Sequence, residues 1–141
     1  MSHSISADDQ SFQRDVESCA FPVSEFNHRA HLRLAYIYLV QGDDVEWAIG
    51  KMRETLLKLL MFAGIDPSQK YHETMTRAWL MIVHQFMNSG AEAHSADQFL
   101  NGNKSLMGAD TLYQYYSEDR LYSQQARQEF LKPDIKPLPN A

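Results

Sequence analysis

The chain has 141 residues, of which 44% are hydrophobic and 22% charged, values typical of a single globular domain. Its net charge of −5 argues against a nucleic-acid-binding protein, and its single cysteine, Cys19, excludes an intrachain disulfide and a cysteine-rich metal site. No apolar stretch reaches the roughly 20 residues that span a membrane, and the polar N-terminus does not resemble a signal peptide. We therefore expect a cytoplasmic protein that binds neither nucleic acid nor membrane.

Helical periodicity dominates the sequence, while the alternating patterns of strands are hard to find, which predicts an all-α fold. Residues 1–20 form a polar lead-in with one short helix over residues 12–18. The first long helix covers residues 24–40, with Ser24 as its N-cap and Gly42 at its end.

Two further long helices follow, over residues 45–63 and 66–88. The second long helix has one clean apolar stripe, but the third carries Leu80 and Met81 outside its main stripe. These two residues, with Trp47, indicate additional apolar helix faces that must be buried against another surface. A homodimer is therefore expected.

The C-terminal part consists of shorter segments separated by turn residues. Short helices are predicted over residues 96–100, 109–116 and 124–131. The tail, residues 132–141, contains three prolines within eight residues and should be extended. No linker divides the chain, so residues 1–141 form one domain: a compact bundle of three long helices with the shorter helices packed across it.

Two histidines on the first long helix point to chemistry. His28 and His31 are one turn apart on an apolar arc, where each imidazole needs a hydrogen-bond partner or a ligand. Glu25 precedes His28 by three residues, the Glu-x-x-His spacing of di-iron bundles. Because only one such motif is present, a di-iron site has little support.

His72, at the start of the third long helix, borders its apolar face. If the first and third helices pack together, His72 can meet His28 and His31, and three histidines with an open fourth position are typical of catalytic zinc. Glu73 or Glu25 would then orient an imidazole or take a proton, although the simplest partner of Glu73 is Arg77 on the next turn. The alternative is that the histidines are structural.

Candidate ligand-binding residues surround these histidines in sequence or on the same helix faces. We expect a pocket whose catalytic and metal-binding groups are the three histidines, with both glutamates as auxiliary groups. His84 is expected to lie exposed on the opposite side of the third helix. The predicted ligand-binding residues are Asn27, Tyr38, Tyr71, Thr76 and Trp79.

Four segments of the chain form a recognisable set: FNHRAHL (residues 26–32), YHET (71–74), YS (116–117) and SQQAR (123–127). Together they resemble a family of small bacterial proteins of uncharacterised function. The resemblance covers residues 24–139 and is most specific in its paired-histidine and Tyr-His-Glu-Thr segments. It implies a bacterial, cytoplasmic setting and brings no mechanism.

Two functions follow as hypotheses from these patterns. The first is a small-molecule-binding protein or enzyme with an internal histidine-lined pocket that holds a divalent metal such as zinc. The second is a non-catalytic homodimeric interaction module in which the buried histidines are structural. Imidazoles that converge on a cavity would favour the first, and histidines satisfied by tyrosine hydroxyls under a dimer interface would favour the second.

Overall fold

A computed structural model describes residues 2–139. Within this range the chain forms eight α-helices and three short 3-10 helices and no strand, which confirms the all-α prediction. The 3-10 helices are Val23–Glu25, Lys104–Met107 and Ala109–Gln114. The α-helices are α1 (Ala7–Glu17), α2 (His28–Gln41), α3 (Val45–Phe62), α4 (Pro67–Lys70), α5 (Glu73–Ser89), α6 (Ala96–Asn101), α7 (Glu118–Leu121) and α8 (Gln124–Gln128).

The three longest helices, α2, α3 and α5, each contact the other two. Helix α1 packs on α2 and α3, α6 packs on α2, and α8 packs on α5. Removal of these apolar faces from water is the main stabilising contribution. The largest fully buried side chains of the core are Tyr36, Tyr38, Tyr116, Phe99, Leu32, Leu34, Ile37, Ile49, Met52, Leu80, Ile82 and Leu100.

The N-terminal segment is more structured than the predicted polar lead-in. Ser6 and Asp9 form a capping box, in which each side chain accepts the backbone N–H of the other residue, and this fixes the start of α1. The helix then buries Phe12 and Val16 against its neighbours. The prediction of one short helix over residues 12–18 was therefore wrong at its start.

Helix α2 begins at His28, four residues after the predicted start at Ser24. Its N-cap is Asn27, whose side-chain oxygen accepts the N–H of Ala30 at 3.0 Å. Glu25 lies in the preceding 3-10 helix and is exposed. The Glu-x-x-His spacing therefore does not place Glu25 and His28 on one helix face.

The predicted third long helix is interrupted. Helix α4 ends at Lys70, Tyr71 and His72 have extended backbone, and α5 begins at Glu73. His72 is the N-cap of α5, because its Nδ1 accepts the N–H of Met75 at 3.0 Å. This break places Tyr71 and His72 at a corner instead of within a helix.

Leu80 and Met81, which predicted a dimer interface, lie inside the chain. Their exposed fractions are 1% and 8%, because α5 buries a wide face against α2, α3 and α8. Trp47 is 44% exposed and is the one residue of that argument left at the surface. Two of the three residues that motivated the homodimer prediction therefore do not support it, and the homodimer stays a prediction.

Of the predicted C-terminal helices, α6 agrees with the prediction over residues 96–100, and the other two are shorter than predicted. Residues 109–114 form a 3-10 helix, and α8 ends at Gln128. Beyond α8, residues 129–139 have no helix, Leu138 is buried, and the Tyr116 hydroxyl donates to the carbonyl of Leu131 at 2.7 Å. Residues 140 and 141 of the predicted tail lie outside the described residues. Across residues 2–139, no helix combines the length and apolar character needed to cross a membrane.

Candidate functional site

A cavity of about 670 Å3 lies between α2, α3 and α5 and is bordered by residues 65–72. This volume is in the range of small-molecule sites, about 300–1,000 Å3. Its lining is mainly apolar but includes all three histidines named from the sequence. The lining residues include Ser24, Phe26, Asn27, His28, His31, Ala35, Met52, Leu56, Lys70, Tyr71, His72, Thr76, Trp79 and Leu80.

The cavity changes in polarity from its mouth to its inner end. Ser24, Asn27 and Lys70 are exposed, so the cavity opens to solvent at these polar side chains. Ala35 and Met52 are buried and form part of the inner wall. A molecule that enters would therefore meet polar groups first and apolar groups last.

His28 has one ring nitrogen engaged and one free. Its Nε2 lies 2.9 Å from the carbonyl oxygen of Leu106 and must donate, because a carbonyl only accepts. In the neutral ring Nδ1 is then an acceptor, and no hydrogen bond joins it to residues 2–139. The ring packs on Trp79, with 4.8 Å between centroids. His28 is thus held in a fixed orientation with an available lone pair.

His31 differs from the other two histidines, because neither of its ring nitrogens has a hydrogen-bond partner among the described residues. Among residues 2–139, the side-chain polar atom that is both fully buried and without a hydrogen-bond partner is Nδ1 of His84. Since the nitrogens of His31 also lack a partner but do not belong to this class, they are not fully buried. The cavity that the ring lines gives access to them. Burial and the nearby His28 lower the pKa of His31 from 6.5 to about 4, so the ring is neutral at pH 7.

His72 has no nitrogen left for a ligand. Nδ1 accepts the N–H of Met75, and Nε2 donates to the carbonyl of Leu121 at 2.8 Å. Burial lowers the pKa of this ring as well, against the opposing effect of the Leu121 hydrogen bond. His72 therefore acts as a structural group that joins the start of α5 to the end of α7.

The structure gives no support to the predicted zinc site. Within residues 2–139, no three side chains of His, Cys, Asp or Glu converge closely enough to hold a metal ion. The physical reason is visible at His72, whose lone pair on Nδ1 caps a helix. To ligate a metal, His72 would have to give up this cap.

The two glutamates predicted to assist the histidines do not line the cavity. Glu25 is exposed on the 3-10 helix. Glu73 binds Arg53 through both carboxylate oxygens, at 2.8 and 2.5 Å, and also accepts the hydroxyl proton of Tyr71 at 2.7 Å. The predicted pair of Glu73 with Arg77 is wrong, because Arg77 pairs with Glu46 at 2.9 Å.

Four of the five predicted ligand-binding residues line the cavity: Asn27, Tyr71, Thr76 and Trp79. Three of these have a polar atom already engaged, since Thr76 donates to the carbonyl of His72, Tyr71 donates to Glu73 and Asn27 caps α2. Tyr38 does not line the cavity. Its hydroxyl is buried beside Glu17 and Thr55, at 2.7 and 2.8 Å, because α1 and α3 cover that part of α2.

Lys70 is a cavity-lining residue that the sequence analysis did not name. It lines the cavity at the end of α4, and no carboxylate among residues 2–139 forms an ion pair with it. Its position depends on the break between α4 and α5. The sequence signal for that break was weak, because residues 66–88 keep a helical pattern throughout.

A second cavity, of about 780 Å3, lies between the start of α3, α5 and residues 130–137. Its lining mixes charges of both signs, and Arg77 and Glu46 pair with each other there. His84 also lines it and is partly buried, not exposed as predicted. We consider this groove the weaker candidate, because one imidazole lines it, with Nδ1 buried and unpartnered among residues 2–139 and Nε2 3.4 Å from the Asn88 amide, whereas the first cavity has free nitrogens on two rings.

Comparisons of the chain with protein-family models, curated proteins and solved structures find no match. The functional assignment therefore depends on the cavity itself.

Proposed function

We propose that the chain binds a small, mainly apolar molecule in the cavity lined by His28 and His31. The observation that carries this proposal is His31, whose two ring nitrogens are unpartnered next to an apolar wall. A molecule that fills the cavity and displaces its solvent must hydrogen-bond to these nitrogens, because a polar group that loses water without gaining a partner is costly. A ligand with a hydroxyl, carbonyl or carboxyl group would satisfy them.

The chemistry available to that ligand is hydrogen bonding and proton transfer by two imidazoles. The neutral ring of His31 offers one donor and one acceptor, and His28 offers an acceptor at Nδ1. Since both rings border the same cavity, the pair can bind a polar group or accept a proton from it. Zinc has no part in this proposal, because His72 is committed to its helix cap.

Trp79 allows a direct test, since it lines the cavity and the chain has two tryptophans. In Trp47→Phe, Trp79 is the sole tryptophan. We expect the neutral apolar dye N-phenylnaphthylamine to bind this variant saturably at one site, with energy transfer from Trp79. Absence of saturable binding with energy transfer would contradict the proposed function.

A pair of matched variants locates the binding site. Ala35→Leu adds side-chain volume at the inner wall and should weaken dye binding at least several-fold, whereas Ala63→Leu adds the same volume at an exposed position and should not. Thermal unfolding checks that both variants are folded. Equal dye affinity of a folded Ala35→Leu and the parent chain would place the dye elsewhere.

A further inference from the structure

The charged and titratable side chains that line the histidine cavity are all basic or neutral. Lys70, His28, His31, His72 and Tyr71 line it, and no aspartate or glutamate does so among the described residues. The nearest acidic group on α5, Glu73, has both oxygens engaged by Arg53 and Tyr71. The cavity therefore has a cation at its mouth and no carboxylate in its wall.

The free hydrogen-bonding groups at the mouth are mainly donors. Lys70 has three N–H donors, and the amide nitrogen of Asn27 makes no hydrogen bond within residues 2–139, since only its oxygen is used in the cap. Farther in, His31 offers one N–H and one acceptor nitrogen, and His28 offers an acceptor at Nδ1. A carboxylate, with two oxygens that only accept, matches the donors at the mouth better than a group that mainly donates.

The apolar part of the lining begins behind these donors. Met52 and Leu80 have almost no exposed surface and line the inner end with Ala35 and Leu56. Because this wall has little to offer a polar group, the inner part of a ligand must be apolar to gain from burial. The cavity thus requires an amphipathic molecule with its polar end outward.

These observations deepen the proposed function, on which they rest. We propose that the cavity selects an apolar monocarboxylate, with its carboxylate at Lys70 and Asn27, its oxygen within reach of His31, and its hydrocarbon body against Met52, Leu56 and Leu80. The positive charge of Lys70 determines the specificity for a carboxylate over an uncharged or cationic end group. Because Lys70 is exposed, its ion pair with the ligand is screened and is worth less than a buried pair.

Three probes of equal chain length separate charge from apolar burial: decanoate, 1-decanol and decylamine. Calorimetry at pH 7, below the aggregation concentration of each probe, should give the order decanoate, then decanol, then decylamine from tightest to weakest. The protonated amine should bind worst because it meets Lys70. Decanol or decylamine binding as tightly as decanoate would overturn the carboxylate inference and leave the proposed function intact. If none of the three binds, the proposed function itself fails.

Removal of the lysine charge gives the second arm. Lys70→Met keeps the length of the side chain and should weaken decanoate binding about three- to tenfold while decanol binding stays within twofold. The matched control is Lys132→Met, which removes an exposed charge from the other cavity. Equal weakening in both variants would mean that the net charge of the chain, and not Lys70, selects the anion, and would overturn the inference.

Discussion

Two regions of this helical protein contain buried polar groups, and they differ in how these groups are satisfied. At Asp9, the buried carboxylate accepts the backbone N–H groups of Ser6 and Ala96 and the Nε–H of Arg33, at 3.0, 2.9 and 3.1 Å. Burial alone would raise the pKa of Asp9, but these hydrogen bonds outweigh it and lower the pKa. We call Ser6, Asp9, Arg33 and Ala96 the Asp9 cluster, and in this cluster the buried carboxylate is satisfied by groups of the protein itself.

The cavity at His28 and His31 is the opposite case. The ring nitrogens of His31 have no partner in residues 2–139, although the side chain lies beside apolar walls, and burial and the nearby His28 lower the pKa of the ring. The Asp9 cluster holds α1, α2 and α6 together, whereas the cavity leaves hydrogen-bonding capacity unused. Hydrogen-bonding groups without a partner in a cavity indicate a binding site, whereas buried polar groups with all their partners indicate a structural role.

The largest expected change in the free energy of unfolding is at the Asp9 cluster. Asp9→Ala should lower the free energy of unfolding by about 3 kcal/mol, because Arg33 and two backbone N–H groups lose their partner in a buried position. The measurement is chemical denaturation at pH 7. The control is Asp97→Ala, which breaks an exposed ion pair with Arg29, 65% exposed on the aspartate side, and should cost less than about 0.5 kcal/mol. Similar losses in both variants would remove the distinction.

His72 lines the cavity but should behave like the Asp9 cluster. His72→Ala removes the helix cap and the hydrogen bond to Leu121, and should lower the free energy of unfolding by about 2 kcal/mol. His72→Asn restores a good N-cap residue and should recover about half of this loss. If Asn recovers nothing, the cap is not what His72 contributes.

Part of the pH dependence between pH 7 and pH 5 should come from His31, and the lowered pKa values of His72 and His84 act in the same direction. The pKa of His31 is about 4 in the folded chain and about 6.5 when unfolded, so the unfolded chain binds more protons between these values and stability falls as the pH drops through that window. Because solvent in the cavity screens the ring, we expect His31 to account for about 1–2 kcal/mol between pH 7 and pH 5. In His31→Leu this portion of the acid sensitivity should vanish. An unchanged pH profile in that variant would contradict the pKa assignment.

The smallest expected effect is His31→Leu at pH 7. Since the imidazole has no partner among the described residues, its replacement by an apolar side chain should change the free energy of unfolding by no more than about 0.5 kcal/mol. Thermal and chemical denaturation measure this value. A loss above about 2 kcal/mol would reveal a structural role and would place His31 with His72.

Much of the helical architecture could be predicted from the sequence because its signals are local. The second long helix was placed correctly at Val45, since Asp44 accepts the N–H of Trp47 as its cap and a regular apolar stripe follows. The break at Tyr71 and His72 could not be predicted in the same way. It is stabilised by a contact distant in sequence, from His72 to Leu121, that no local pattern shows.

The part of the site that depends on local sequence signals could be predicted, and the part that depends on distant contacts could not. His28 and His31 face the cavity because the period of α2 places them there, and that period is readable from the residues. The role of His72 depends on its two hydrogen bonds, and the contribution of Lys70 depends on where α4 ends. Glu25 and Tyr38 were assigned from their positions in the sequence alone. Glu25 is not on the same helix face as His28, because α2 begins only at His28. Tyr38 does not line the cavity, because α1 packs over its hydroxyl.

The most direct test of the cavity as a ligand site is to follow the imidazole signals of the chain by NMR during titration with decanoate at pH 7. The signals of His28 and His31 should shift together and saturate at one equivalent. Those of His3, which is bound to Met87 and Ala93, and of exposed His94 should not move. If His28 and His31 stay unchanged, or if all the histidines shift without saturation, the cavity is not the site that we infer.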